Sequence, residues 1–137
     1  MLSHDTRAVI EAYAQSHDPQ FFAPDAVYTD MARACPVAGR EAIAAMLRSV
    51  FYETFSDAAV TLHRAAADAG QGIGLVECTF RGRHTGTLLG IQPTFRQVEL
   101  PMLAIYEVEH GEIRRARQYY DVATLLRQLG REPETGC

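Results

Sequence analysis

The stretch RQVELPMLAIYEVEHGEIRRARQYYD, residues 96–121, decides the fold. Apolar and polar residues alternate on both sides of His110-Gly111, so the segment reads as two antiparallel strands, Arg96 to Glu109 and Glu112 to Asp121, joined by a tight turn. Val122 to Leu129 then reads as a helical turn or two stopped by Gly130. Moving back along the chain, a loop with Gly86, Gly90 and Pro93 carries the apolar Leu88, Leu89 and Ile91. Before it, Ala59 to Ala66 and Ile73 to His84 form a second hairpin around Asp68-Ala69-Gly70-Gln71.

Upstream of Ser56 the period is helical. Ser3 to Ser16 places Ala8, Val9, Ala12 and Tyr13 on one stripe, with Ser3 or Asp5 as cap. Pro19 and Pro24 bracket a turn-rich piece with Phe21 and Phe22, and Ala26 to Thr29 is a short strand that ends at Asp30. After Gly39, the residues Ile43, Met46, Leu47, Val50 and Phe51 keep helical spacing and must face a core. Helices that precede a sheet and stay apart from it make the class α+β. We read one domain over 1–130 and a frayed tail at 131–137.

Composition narrows the chemistry. Apolar residues at 47% and charged residues at 22% describe an ordinary globular chain. A net charge of -4 suits neither nucleic acid nor an anionic membrane, so a small neutral or apolar ligand is the expected partner. The chain has no Lys, which excludes Schiff-base, pyridoxal-phosphate and P-loop mechanisms, and no Asn, which excludes N-glycosylation. Cys35, Cys78 and Cys137 are scattered and unpatterned, as in a reduced, cytoplasmic protein. The charged start of the chain is unlike a signal peptide, and no apolar run is long enough to span a bilayer. The five histidines lack metal-ligand spacing, and no Gly-x-Ser-x-Gly elbow is present.

The segments Gly82-Arg83-His84-Thr85-Gly86, Leu89-Gly90-Ile91-Gln92-Pro93-Thr94 and Tyr119-Tyr120-Asp121, followed by Leu125 to Gly130, resemble the SnoaL-like polyketide cyclases of the nuclear transport factor 2-like superfamily. The resemblance implies a cone, in which a curved antiparallel sheet wraps around the helices and leaves an apolar pocket open at one end. It also implies a homodimer through the sheet and catalysis without metal or organic cofactor. The same fold hosts cyclases, isomerases, epoxide hydrolases and proteins without activity, so fold alone does not set function.

Three residues carry the expected chemistry. Asp121 corresponds to the acidic residue that the family's aldol cyclases are thought to use. Strand alternation from Asp121 puts Arg117 and Tyr119 on its face and Ala116, Gln118 and Tyr120 on the other, and we expect the former face to look into the cone. Desolvation there would raise the carboxyl pKa into a useful range. The alternative makes Asp121 the N-cap of the helix that follows. Asp30 lies in a segment similar to the one that carries the catalytic base of ketosteroid isomerase, and Tyr13 sits where that enzyme holds an oxyanion-binding tyrosine. Their alternatives are a turn-forming Asp and a core Tyr.

Leu47, Phe51, Met102, Ala104 and Tyr119 are the expected pocket residues. At Met102 and Ala104 the family's cyclases tend to carry His and Gln, and limonene epoxide hydrolase carries part of its triad, so the epoxide hydrolase mechanism is disfavoured. Arg117 could pair with Asp121, and His84 reads as a hydrogen-bonded structural residue. The rival to an acid/base cyclase or isomerase is a non-catalytic binding or dimerisation module, which the apolar Met102 and Ala104 favour.

Overall fold

Long strands with alternating burial build the molecule, and the computed structural model describes them within residues 5–131. The expected tail lies, apart from Arg131, outside the described residues. Six strands form one curved, unclosed sheet: β1 (Phe22–Asp30), β2 (Cys35–Ala38), β3 (Phe55–Asp68), β4 (Ile73–His84), β5 (Gln97–Glu109) and β6 (Glu112–Tyr119). Their spatial order is β2-β1-β6-β5-β4-β3, with β1 and β6 parallel and every other pair antiparallel. The turn between β5 and β6 uses His110 and Gly111, both at positive φ, which matches the twist of the flanking strands.

Helix α1 (Thr6–Ser16) begins at Asp5, whose side chain accepts from the backbone N–H of Arg7 and Ala8. It buries Val9, Ile10, Tyr13 and Ala14 against β3 and β4. Gly74 permits the approach, since a Cβ there would stand 2.5 Å from Ile10 Cδ1. Helix α2 (Arg40–Arg48) runs into a π-helical turn (Ser49–Thr54). Ile43 and Leu47 are buried, and Met46, Val50 and Phe51 pack on the core as their spacing predicts. Helix α3 (Val122–Gln128) lies beside β5, where Gln128 Oε1 accepts from the Glu99 N–H at 2.8 Å and its Nε2 donates to the Glu99 carbonyl at 2.8 Å.

Two apolar clusters fill the concave side. One joins α1 and α2 to Phe22, Val76, Ala104, Tyr106, Val108, Ile113 and Ala116. The other joins α3 to Phe55, Phe80, Ile91, Val98 and Leu100. Phe51, Val60 and Met102 touch both and mark the seam between them. Strand β2 and the π turn were not expected from the sequence, and β1 and β3 each start about four residues earlier than their alternation suggested.

Candidate functional site

The parity of β6 determines which side chains can meet a ligand, and a bulge reverses it. Ile113 is fully buried opposite Val108, whereas Arg115 pairs with Glu107, so Arg114 is an extra residue in the strand. One extra residue turns every later side chain to the opposite face. Ala116, Gln118 and Tyr120 therefore point inward, and Arg117 and Tyr119 point outward. Neighbouring strands agree: Gln118 stands beside the buried Ala104, and Tyr119 stands beside the exposed Leu103. The expectation that Tyr119 lines the interior is corrected by this geometry. Arg117 binds Glu107 at 2.6 Å on the outer face and does not reach Asp121.

Asp121 likewise lies outside the cone. It is exposed and caps α3, accepting from the Ala123 N–H at 3.1 Å and from Thr124 Oγ1 at 2.8 Å. These hydrogen bonds, chiefly that from Thr124, hold its carboxyl below the ordinary value, opposite in direction to the expected desolvation.

The carboxylate at the interior corner is Asp30, with a side chain 17% exposed. It ends β1 beside Gln118 of β6. Asp30 Oδ2 accepts from Tyr120 Oη at 2.7 Å and from Arg33 Nε at 2.9 Å, and Oδ1 accepts from the Ala32 N–H at 3.0 Å. Burial, and next the hydrogen bond to Asp30, push the Tyr120 hydroxyl above its ordinary pKa, so it stays a proton donor. Two residues before Asp30 on the same face of β1, Tyr28 Oη donates to Gln118 Oε1, and Gln118 Nε2 donates to Met102 Sδ. Gln118, Tyr120 and Tyr28 were missed by sequence reasoning. The signal was available in the spacing of Ile113 and Ala116, two small or apolar residues three apart among arginines, which strict alternation does not produce.

Tyr13 is buried in the deeper cluster, its ring 5.0 Å from Phe22 and 5.8 Å from Tyr106. Burial, followed by the neighbouring Tyr28 and Tyr106, raises its pKa well above the ordinary value. Met102 and Ala104 point inward, Leu47 is buried, and the half-buried Phe51 packs against His17 in a tilted arrangement with centroids 4.9 Å apart. Burial lowers the His17 pKa, so the ring is neutral. His84 is fully buried: its Nδ1 accepts from the Thr94 N–H at 3.1 Å, and its Nε2 has no hydrogen-bond partner. It ties both ends of the 85–96 loop together and lies apart from the Asp30 corner.

Two clefts of about 580 and 600 Å³ occur outside the cone. One lies at Gln20, Pro24 and residues 38–42, the other between the turns at 69–72 and 107–110. Neither touches the inward-facing polar set. Among the described residues no three His, Cys, Asp or Glu side chains stand together in a metal-binding group, and no helix is long and apolar enough to cross a membrane.

This architecture has known counterparts. A candidate SnoaL-like polyketide cyclase from Jannaschia sp. CCS1 superposes with a TM-score of 0.77 at 16% identity, over 96% of both chains. IdmH of Streptomyces antibioticus, described as a candidate polyketide cyclase, has a TM-score of 0.65 at 26% identity, over 92% of this chain and 96% of its own. An LEH-like epoxide hydrolase of Mycobacterium tuberculosis has a TM-score of 0.68 at 23% identity, over 91% of this chain and 89% of its own. No curated protein matches the sequence significantly. The family model of the SnoaL-like polyketide cyclases matches residues 5–129, and with the six-stranded cone behind that match the chain belongs to this family, on the nuclear transport factor 2-like fold.

Proposed function

We propose that the protein is a cofactor-independent general acid/base enzyme acting on an apolar, carbonyl-containing, polyketide-like small molecule, by aldol cyclisation or double-bond isomerisation. One observation carries this reading. Asp30 is a mostly buried carboxylate in contact with Tyr120, a tyrosine that packs on one of the apolar clusters and holds its proton. In an aldol closure, Asp30 takes a proton from the carbon beside a carbonyl. The enolate carbon bonds to a second carbonyl, and the new alkoxide receives the proton back from Asp30, either directly or by a relay in which Tyr120 gives up its proton and takes the one on Asp30. No electrons enter or leave. Tyr13, protonated and deeper in the cone, offers a hydroxyl to a ligand that reaches it, with Leu47, Phe51, Met102 and Ala104 as apolar walls. Asp121 supports the fold in this reading.

The outer face of the sheet exposes Ile73, Leu75, Leu103 and Tyr119, which supports a homodimer through that face. Leu103→Arg should then shift the sedimentation of the protein from dimer to monomer. Unpaired thiols at Cys35 and Cys78 support a reduced, cytoplasmic setting.

The Asp30–Arg33 ion pair favours a second reading, a non-catalytic binding module, because both carboxylate oxygens already accept hydrogen bonds from within the protein, from Ala32, Arg33 and Tyr120. Hydrogen–deuterium exchange of the acetyl group of 2-acetylnaphthalene in D₂O, followed by NMR, separates the two. The enzyme reading expects the wild type to accelerate exchange and Asp30→Asn to remove about 100-fold or more of that acceleration. Equal exchange with both proteins leaves the binding module.

A further inference from the structure

A primary amide facing an interior has two useful ends, and in Gln118 only one is well matched. Its Oε1 is taken by the Tyr28 hydroxyl. That bond orients the side chain so that Nε2 faces inward, where its partner is the thioether of Met102. Sulfur is a weak acceptor, and an unbranched methionine with three rotatable bonds moves aside readily. A carbonyl or enolate oxygen accepts the same N–H far better. Gln118 is half-buried, and its Nε2 meets Met102, which touches both apolar clusters.

The geometry points to Gln118 Nε2 as the donor that reads the ligand's carbonyl oxygen, displacing Met102 Sδ, with Tyr28 as the positioning residue that fixes the amide. The ligand class is an aryl or otherwise planar ketone with an enolisable carbon next to the carbonyl. Asp30 and Gln118 are register partners on adjacent parallel strands and project from the same face. A ketone oxygen held by Gln118 therefore brings its neighbouring carbon toward Asp30. When the proton leaves that carbon for Asp30, the electron pair moves onto the oxygen that Gln118 already holds. This step rests on the acid/base reading of Asp30. The recognition of the ketone by Gln118 stands without it.

The test uses the full chain with two probes of nearly equal shape, 2-acetylnaphthalene and 2-isopropenylnaphthalene, in which a CH2 group replaces the carbonyl oxygen. Wild type should bind the ketone about three- to tenfold more tightly than the hydrocarbon, the range of one net hydrogen bond. The carbonyl stretch of the bound ketone should fall in the infrared relative to its value in hexane. Gln118→Met keeps the volume and removes the donor, so both the preference and the spectral shift should vanish. Tyr28→Phe should reduce both by freeing the amide to turn. Because Gln118→Met leaves the Tyr28 hydroxyl unpaired, Gln118→Met/Tyr28→Phe repeats the measurement with no orphaned group. Asp30→Asn should keep the preference and the spectral shift while losing deuterium exchange, so failure of the acid/base reading is distinguishable. A wild type that does not prefer the ketone, or a double variant that retains the preference and the shift, overturns the inference.

Discussion

Asp30 and Asp121 stand near each other in the topology, each at the end of one of two adjacent parallel strands, yet their surroundings are opposite. The Asp30 corner faces inward, with a tyrosine hydroxyl and an arginine on one carboxylate oxygen. The Asp121 corner faces solvent and is occupied with starting a helix. The difference originates seven residues before Asp121, at the single extra residue in β6. Residue type and strand position alone do not assign a carboxylate to chemistry. Face does, and a bulge sets face.

The sharpest way to break this comparison is to shift the register that the bulge sets. Inserting one alanine after Arg115 moves every later residue of β6 by one place, which would turn Arg117 and Tyr119 inward and Gln118 and Tyr120 outward. Burying an arginine without its partner Glu107 costs several kcal/mol, so the variant should lose its cooperative urea transition or refold only partly. A stability within about 1 kcal/mol of wild type would mean the register is set elsewhere. The core cluster around Tyr13 provides the next largest effect. Phe22 is fully buried against Tyr13, and Phe22→Ala should cost about 3–5 kcal/mol in urea denaturation. Tyr120→Phe, at the Asp30 corner, should cost only about 0.5–1.5 kcal/mol, because one hydrogen bond is lost and no cavity forms.

Much of the architecture was legible in the sequence. The bounds of β4 coincide with the alternating run Ile73 to His84, and α1 starts at the Asp5 cap. Both rest on local signals, period and cap chemistry. Strand β2 was not legible because it is four residues long, carries Pro36, and depends on pairing with β1 through a turn in which the non-glycine Ala34 adopts φ 51. The π turn was hidden because Val50 and Phe51 continue the helical spacing while the backbone widens. The candidate site was half legible. Met102 and Ala104 face the interior as expected, and Asp30 was named through the resemblance to ketosteroid isomerase, whereas Gln118 and Tyr120 fall on the wrong face when alternation is counted back from an inward Asp121.

The interior also predicts an alkaline limit. Tyr13, Tyr28, Tyr106 and Tyr120 all have pKa values raised above the ordinary 10, with burial the leading cause. The fold keeps these groups protonated, so their contribution is complete below pH 10 and is lost as pH rises toward the folded values. Each tyrosine that ionises only on unfolding removes about 1.4 kcal/mol per pH unit, and Tyr28→Phe should make the decline shallower by about that slope. A pH-independent stability above pH 10 would contradict the packing around Tyr28.

The smallest expected effect tests Asp121 itself. Its folded pKa is lowered from 3.8, chiefly by Thr124, so its charged form supports the fold fully above that value, and the support is lost as pH falls through the lower folded pKa. Asp121→Ala should melt a few degrees below wild type at about pH 7, and the gap should close as thermal melts are stepped down to about pH 3. Asp121→Asn keeps an oxygen for the Ala123 N–H without the charge, so it should lie between the two. Its rate of deuterium exchange on 2-acetylnaphthalene should match wild type. A gap that widens in acid would mean a carboxyl whose pKa is raised by the fold, and slowed exchange in Asp121→Asn would mean one that moves protons. Either result would return the chemistry to the end of β6 and leave Asp30 as the structural member of the pair.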